Sequence, residues 1–106
     1  MKTTWIKLSL AAAAATFAAT AGAQSVIKIG VNQPLTGAVA ASGNFVTNGA
    51  KIAADEINAK GGINGSKIEL VIEDNKSNPT EAAAVAEKLI VRDKVPVLMG
   101  AWSSTY

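Results

Sequence analysis

The chain has 106 residues, with 10 Lys+Arg, 8 Asp+Glu, no His and no Cys. Its surplus of two positive charges comes from Lys2 and Lys7, and from Gln24 onward basic and acidic residues balance at eight each. That balance excludes the basic face nucleic acid needs and the polybasic patch of a membrane-surface binder; without Cys, disulfides and thiolate metal sites are excluded too.

Residues 1–23 follow the three-part plan of a secretory signal peptide. Lys2 and Lys7 form a positive start, Leu8 to Ala19 an apolar stretch, and Ala21-Gly22-Ala23 a small-residue cleavage site that places the cut between Ala23 and Gln24. The apolar stretch is about a dozen residues, short of the roughly 20 that span a bilayer as a helix. No Cys follows the cut, which excludes lipid attachment through an N-terminal Cys. The expected product is soluble, holds no stable membrane anchor after cleavage and, in a bacterium, is periplasmic.

Val26 to Val31 alternates Ile27, Ile29 and Val31 with Lys28 and Gly30, the period of two of a strand. Asn32 to Gly43 reads as a loop, broken by Pro34, Gly37 and Gly43. From Asn44 the period becomes helical. Val46, Gly49, Ala50, Ala53 and Ile57 make one stripe, and Thr47, Asn48, Lys51, Asp55 and Asn58 the solvated side. Gly49 within that stripe predicts close approach to a sheet. Gly61-Gly62 supplies the C-cap and Asn64-Gly65 a tight turn.

Lys67 to Glu73 alternates again and makes a second strand. Asn78, Pro79 and Glu81 then mark a helix start as N-cap, first helical residue and third residue. Ala82, Val85, Ala86, Leu89 and Ile90 form its expected buried stripe. Pro96 opens a third strand, and Val97-Leu98-Met99 is apolar throughout, as in a strand covered on both faces. This order predicts an α/β fold, a doubly wound parallel sheet beginning β-α-β-α-β with strand order 2-1-3.

Such a sheet binds ligands beyond the carboxyl ends of its strands, where the strand order reverses. That crevice lies between 32–43, after the first strand, and 101–106, after the third. Ala101-Trp102-Ser103-Ser104-Thr105 combines a large aromatic with three hydroxyls, suited to a wall and to donors for a carboxylate. Ser103 also reads as a plain N-cap and Trp102 as a core aromatic. Glycines 30, 37 and 43 are too widely spaced for a dinucleotide fingerprint, and no G-K-[ST] follows them. Asp74 stands where a ribose-binding carboxylate would, yet without that fingerprint it reads as a solvated turn residue. With neither His nor Cys, no catalytic site is expected among these residues; no metal and no cofactor are expected either.

Gly30-Val31-Asn32-Gln33-Pro34-Leu35-Thr36-Gly37, Gly49-Ala50 and Ala54-Asp55-Glu56-Ile57-Asn58-Ala59-Lys60-Gly61-Gly62-Ile63-Asn64-Gly65 closely resemble the leucine/isoleucine/valine-binding proteins. These are type I periplasmic solute-binding proteins of ATP-binding-cassette importers. Asp74, Asn78-Pro79 and Gly100-Ala101-Trp102-Ser103-Ser104 continue the resemblance in order. It implies two lobes that close over a solute, a membrane permease as partner, and residues 24–106 as the N-terminal part of lobe 1. It implies Trp102, Ser103 and Ser104 as ligand-binding residues, and Ser42 where many relatives carry an aromatic. An aliphatic amino acid, an amide or an aromatic acid would each be compatible. Relatives run several times longer, so a truncated frame or fragment is expected. Two other classes stay open: an exported hydrolase-like enzyme with its catalytic residues beyond 106, and the ligand-sensing ectodomain of a receptor.

Overall fold

The computed structural model describes residues 25–106. The expected signal segment and its cut between Ala23 and Gln24 lie outside the described residues. In order, the chain forms β1 (Val26–Gln33), α1 (Ala40–Ala59), β2 (Lys67–Asp74), α2 (Pro79–Glu87), a π-helical turn (Lys88–Arg92) and β3 (Val97–Met99). The strands make one parallel sheet in the order β2-β1-β3. The predicted α/β topology and strand order are therefore observed, with the reversal between β1 and β3.

β1 runs two residues past its apolar alternation, because its ladder with β2 continues from Val26↔Lys67 to Gln33↔Asp74. Asn32 and Gln33 thus belong to the sheet, not to a loop, and both are buried. β3 pairs with β1 over three residues, Ile29↔Val97 to Val31↔Met99. Its apolar sequence predicts an interior strand; among the described residues it is an edge, with Val97 and Leu98 exposed.

α1 begins four residues earlier than Asn44, and the connection from β1 shortens to residues 34–39. Val39 at its N-cap makes no side-chain cap, so the start lacks the Ser, Thr, Asp or Asn that would mark it. The buried side also differs from the predicted stripe. Gly43, Thr47 and Ala54 are buried, whereas Gly49 and Ala53 are exposed. Thr47 lies inside because its hydroxyl donates to the Gly43 carbonyl oxygen at 2.8 Å, which removes the cost of burying it. The close approach belongs to Gly43, not Gly49. A Cβ on Gly43 would stand 1.9 Å from the Pro34 carbonyl oxygen, while nothing lies within 4 Å of one on Gly49.

Gly61 and Gly62 end α1 at φ +97° and +80°, and the Gly62 N–H donates to the Ile57 carbonyl at 2.9 Å. Asn64 and Gly65, both at positive φ, form the expected turn, closed by reciprocal bonds between Ile63 and Ser66. Asn78 caps α2 as predicted, its Oδ1 accepting from the N–H of Thr80 at 2.8 Å and of Glu81 at 3.1 Å. Val85 and Leu89 pack with Val95 and the partly buried Val71 into the core under the sheet. Ile90, predicted in the same stripe, is 54% exposed. The π turn explains it: the Asp93 N–H donates five residues back to Lys88, and the wider winding takes Ile90 out of the 3.6-residue phase.

Candidate functional site

Parallel pairing brings the carboxyl ends of β1 and β3 side by side, so segments 34–39 and 100–106 leave the sheet as neighbours. Gln33, 1% exposed, joins them. Its Nε2 donates to the Gly100 carbonyl oxygen, and its Oε1 accepts from the Trp102 N–H at 2.9 Å. Beside it, Asn32 donates through Nδ2 to the Ala82 carbonyl at 2.9 Å and accepts from Asn75 Nδ2 at 3.1 Å. Asn75 is fully buried; its Oδ1 accepts from the Ser77 N–H at 3.1 Å, and its N–H donates to the Gln33 carbonyl at 3.1 Å. Among the described residues no buried side-chain polar atom lacks a partner, so this network is closed as a buried polar network must be.

The segment after β1 is fixed from its other side by the segment after β2. Asp74 Oδ1 accepts from the N–H of Leu35 at 2.9 Å, of Thr36 at 3.2 Å and of Lys76 at 2.8 Å. Its Oδ2 accepts from the Thr36 hydroxyl at 2.7 Å. Ser77 Oγ donates to the Thr36 carbonyl at 2.8 Å and accepts from the Val39 N–H at 3.3 Å. Burial acts to raise the Asp74 carboxyl. The bonds from the Thr36 hydroxyl and from the Lys76, Leu35 and Thr36 backbone outweigh it and hold the group below its ordinary range. Asp74 is therefore a latch between two loops, with its oxygens engaged inside the protein.

Of the residues predicted to bind ligand, Trp102, Ser103 and Ser104 stand together on the segment leaving β3. Trp102 is 53% exposed rather than a core aromatic. Ser103 is half-buried, and its Oγ accepts from the Thr105 N–H at 3.2 Å while sharing a 2.7 Å hydrogen bond with the Thr105 hydroxyl. Ser104 is exposed. Ser42 stands apart from them in sequence, half-buried in the first turn of α1 and not in a loop. Sequence patterning missed Gln33, Asn32 and Asn75, because polar residues at a strand end read as the start of a loop. Three carboxamides flanking a strand-order reversal are the signal that would have found them.

No Lys, Arg, Asp or Glu occurs in 32–43 or 100–106. The two loops that face each other across the reversal thus offer dipoles and hydroxyls but no formal charge. A depression of about 360 Å³ lined by Ala84, Glu87, Lys88, Val91 and Arg92 lies elsewhere, on the outer side of α2. Among the described residues no helix is long and apolar enough to cross a membrane, and no group of three metal-ligating side chains is placed to hold an ion.

The profile of the periplasmic binding protein family matches residues 26–106. An amino acid binding protein of Pseudomonas aeruginosa is 46% identical over 79 residues, covering 74% of this chain and 21% of that protein. The leucine-, isoleucine-, valine-, threonine- and alanine-binding protein of the same organism is 42% identical over 94 residues, covering 89% of this chain and 25% of its own length. The branched-chain amino acid transporter substrate-binding protein LivJ of Streptococcus pneumoniae, solved in complex with isoleucine, superposes with a TM-score of 0.70 at 47% identity. That match covers 72% of this chain and 22% of LivJ. The chain spans about a fifth to a quarter of the length of these relatives.

Proposed function

The chain belongs to the periplasmic binding protein family, in its branched-chain amino acid branch, and from that premise we propose that the protein captures a branched-chain amino acid in the periplasm. It hands the solute unchanged to the permease of an ATP-binding-cassette importer. In this reading residues 1–23 are the export signal and residues 24–106 the first part of the lobe that receives the ligand. The site lies beyond β1 and β3, with Ser103 and Ser104 donating to the ligand carboxylate, Trp102 forming a wall and Ser42 at the margin.

One observation carries the choice of ligand: the loops flanking the strand-order reversal hold hydroxyls, backbone dipoles and an aromatic, and no formal charge. An amino acid is a zwitterion without net charge, so fixed dipoles satisfy its two ends without an unbalanced buried ion. A doubly charged anion would call for Arg or Lys here. The similarity to amino acid binding proteins and to a transporter substrate-binding protein supports capture over chemistry.

Calorimetric titration of the purified protein with L-leucine, L-isoleucine and L-valine tests the reading. Saturable one-to-one binding of at least one is expected. Ser103→Ala should weaken it by about tenfold or more, the loss of one hydrogen bond to a charged group. Binding of none of the three would overturn the solute class, and an unchanged affinity in Ser103→Ala would remove that hydroxyl from the site.

A further inference from the structure

β1 and β3 stop pairing at Val31↔Met99, two residues before β1 ends at Gln33. The register places Ala101 opposite Gln33. In a parallel sheet the backbone groups of successive residues point to opposite sides, and the Gln33 carbonyl, which accepts from the Asn75 N–H, is committed to the β2 side. The Gly100 carbonyl and the Trp102 N–H therefore find no partner in the Gln33 backbone. Both bond to the side-chain carboxamide of Gln33 and not to a backbone. A primary amide carries the same donor and acceptor as a peptide unit, so the side chain ties this segment to β1 beyond the last backbone pair with β3.

From this we infer that Gln33 is a positioning residue for the ligand segment. It holds 100–102 against the carboxyl end of β1, and so fixes where Trp102 and the Ser103 hydroxyl present themselves to a solute. The inference rests on the site assignment made above, and it adds a residue that touches no ligand itself. Gln33 is buried, with both ends of its carboxamide bonded to backbone, so its part is to hold a backbone and not to contact solute. Few other side chains fit. Asn is one methylene too short to span to a neighbouring strand, and Leu or Met supplies neither bond. Glu at neutral pH accepts from Trp102 but sets a carboxylate against the Gly100 carbonyl; protonated, it donates to that carbonyl and restores both bonds.

The last property supplies a readout that simple loss of packing would not give. Three full-length proteins are compared, the wild type, Gln33→Leu and Gln33→Glu, by calorimetry with L-isoleucine and by site-resolved amide exchange. The wild-type Trp102 amide should exchange as slowly as amides within β1. Gln33→Leu, with helix content unchanged by circular dichroism, should lose at least tenfold in affinity and speed exchange around 100–104. Gln33→Glu should bind weakly at pH 8 and recover affinity relative to wild type as the pH falls towards 5, where a buried carboxyl becomes protonated.

Wild-type affinity in a folded Gln33→Leu, or a Gln33→Glu deficit independent of pH, would overturn the inference. If the wild type binds none of the branched-chain amino acids, the functional reading fails by itself. The positioning claim is then decided by exchange alone, and a Trp102 amide exchanging at coil rates in the wild type would overturn it even if neither variant folds.

Discussion

Asp74 shows how one side chain replaces a run of regular structure. The segment 34–39 crosses from β1 to α1 without a ladder, and its Leu35 and Thr36 N–H groups would otherwise find only water. The Asp74 carboxylate takes both, with the Thr36 hydroxyl and the Lys76 N–H. Gly37 fits beneath this latch at φ +88°, where a Cβ would meet the Lys76 carbonyl oxygen at 2.7 Å. Because these bonds favour the charged carboxylate against the opposing effect of burial, the folded protein holds it below the value of 3.8 that an unperturbed Asp shows. The sign of the pH dependence follows. The charge contributes stability in full above the unfolded value and loses it as pH falls through the lower folded value. Asp74→Asn, which keeps one acceptor but no charge, should therefore melt below the wild type at pH 7, with the gap closing as the pH falls below about 4. A gap in Tm that stays constant from pH 7 to pH 3 would show that the charge itself contributes nothing to the latch.

Among the elements, α1 separates what composition can tell from what packing decides. Its apolar period was readable, but its phase was not. Two glycines stand six residues apart, and sequence alone favoured Gly49 as the point of close contact. In the folded chain Gly43 meets the Pro34 backbone and Gly49 faces open space. Opposite effects of one substitution follow. Gly49→Ala should raise stability by about 0.5–1 kcal/mol, through helix propensity at an exposed interior site. Gly43→Ala should lower it by about 1–3 kcal/mol, since a backbone oxygen cannot yield as a flexible side chain does. Urea denaturation of the two variants checks this, and a shift of the same sign in both would refute the placement of α1. The same contrast runs through the fold. The strand order, the N-cap of α2 and the Gly61-Gly62 stop were legible, because each depends on a local pattern or on a residue with a single favoured role. The uncapped start of α1, the burial of Thr47 and the outward turn of Ile90 were not. Each arises from a partner distant in the fold or from a π turn that leaves no mark in the sequence. At the candidate site the hydroxyl-rich segment 101–105 stood out by composition. Gln33 did not, because a carboxamide that pairs with a backbone reads as an ordinary polar residue; Asn58, which pairs with both groups of Ile68 at 2.8 Å at the other end of the sheet, was illegible for the same reason.

For the molecule as a whole, the distribution of charge is the most informative property. The entire net charge of +2 sits in Lys2 and Lys7, and the remaining chain is neutral. A positive start before an apolar stretch suits orientation at an export channel. For the release into the periplasm proposed above it would be a liability, since each Lys near anionic lipid adds about 1 kcal/mol of attraction. Removal of 1–23 would leave residues 24–106 with equal numbers of positive and negative groups and no charged residue in the loops at the candidate site. The expected outcome is a protein in osmotic-shock fluid whose intact mass corresponds to a chain starting at Gln24. Ala23→Phe places a large side chain where the peptidase requires a small one, and should accumulate the uncut precursor in the membrane fraction. Recovery of the wild type from shock fluid with Met1 or Trp5 still attached would rule out the signal assignment. A mature chain beginning at another residue would keep export but move the cut. Uncut Ala23→Phe appearing in shock fluid as readily as the wild type would break the link between cleavage and release.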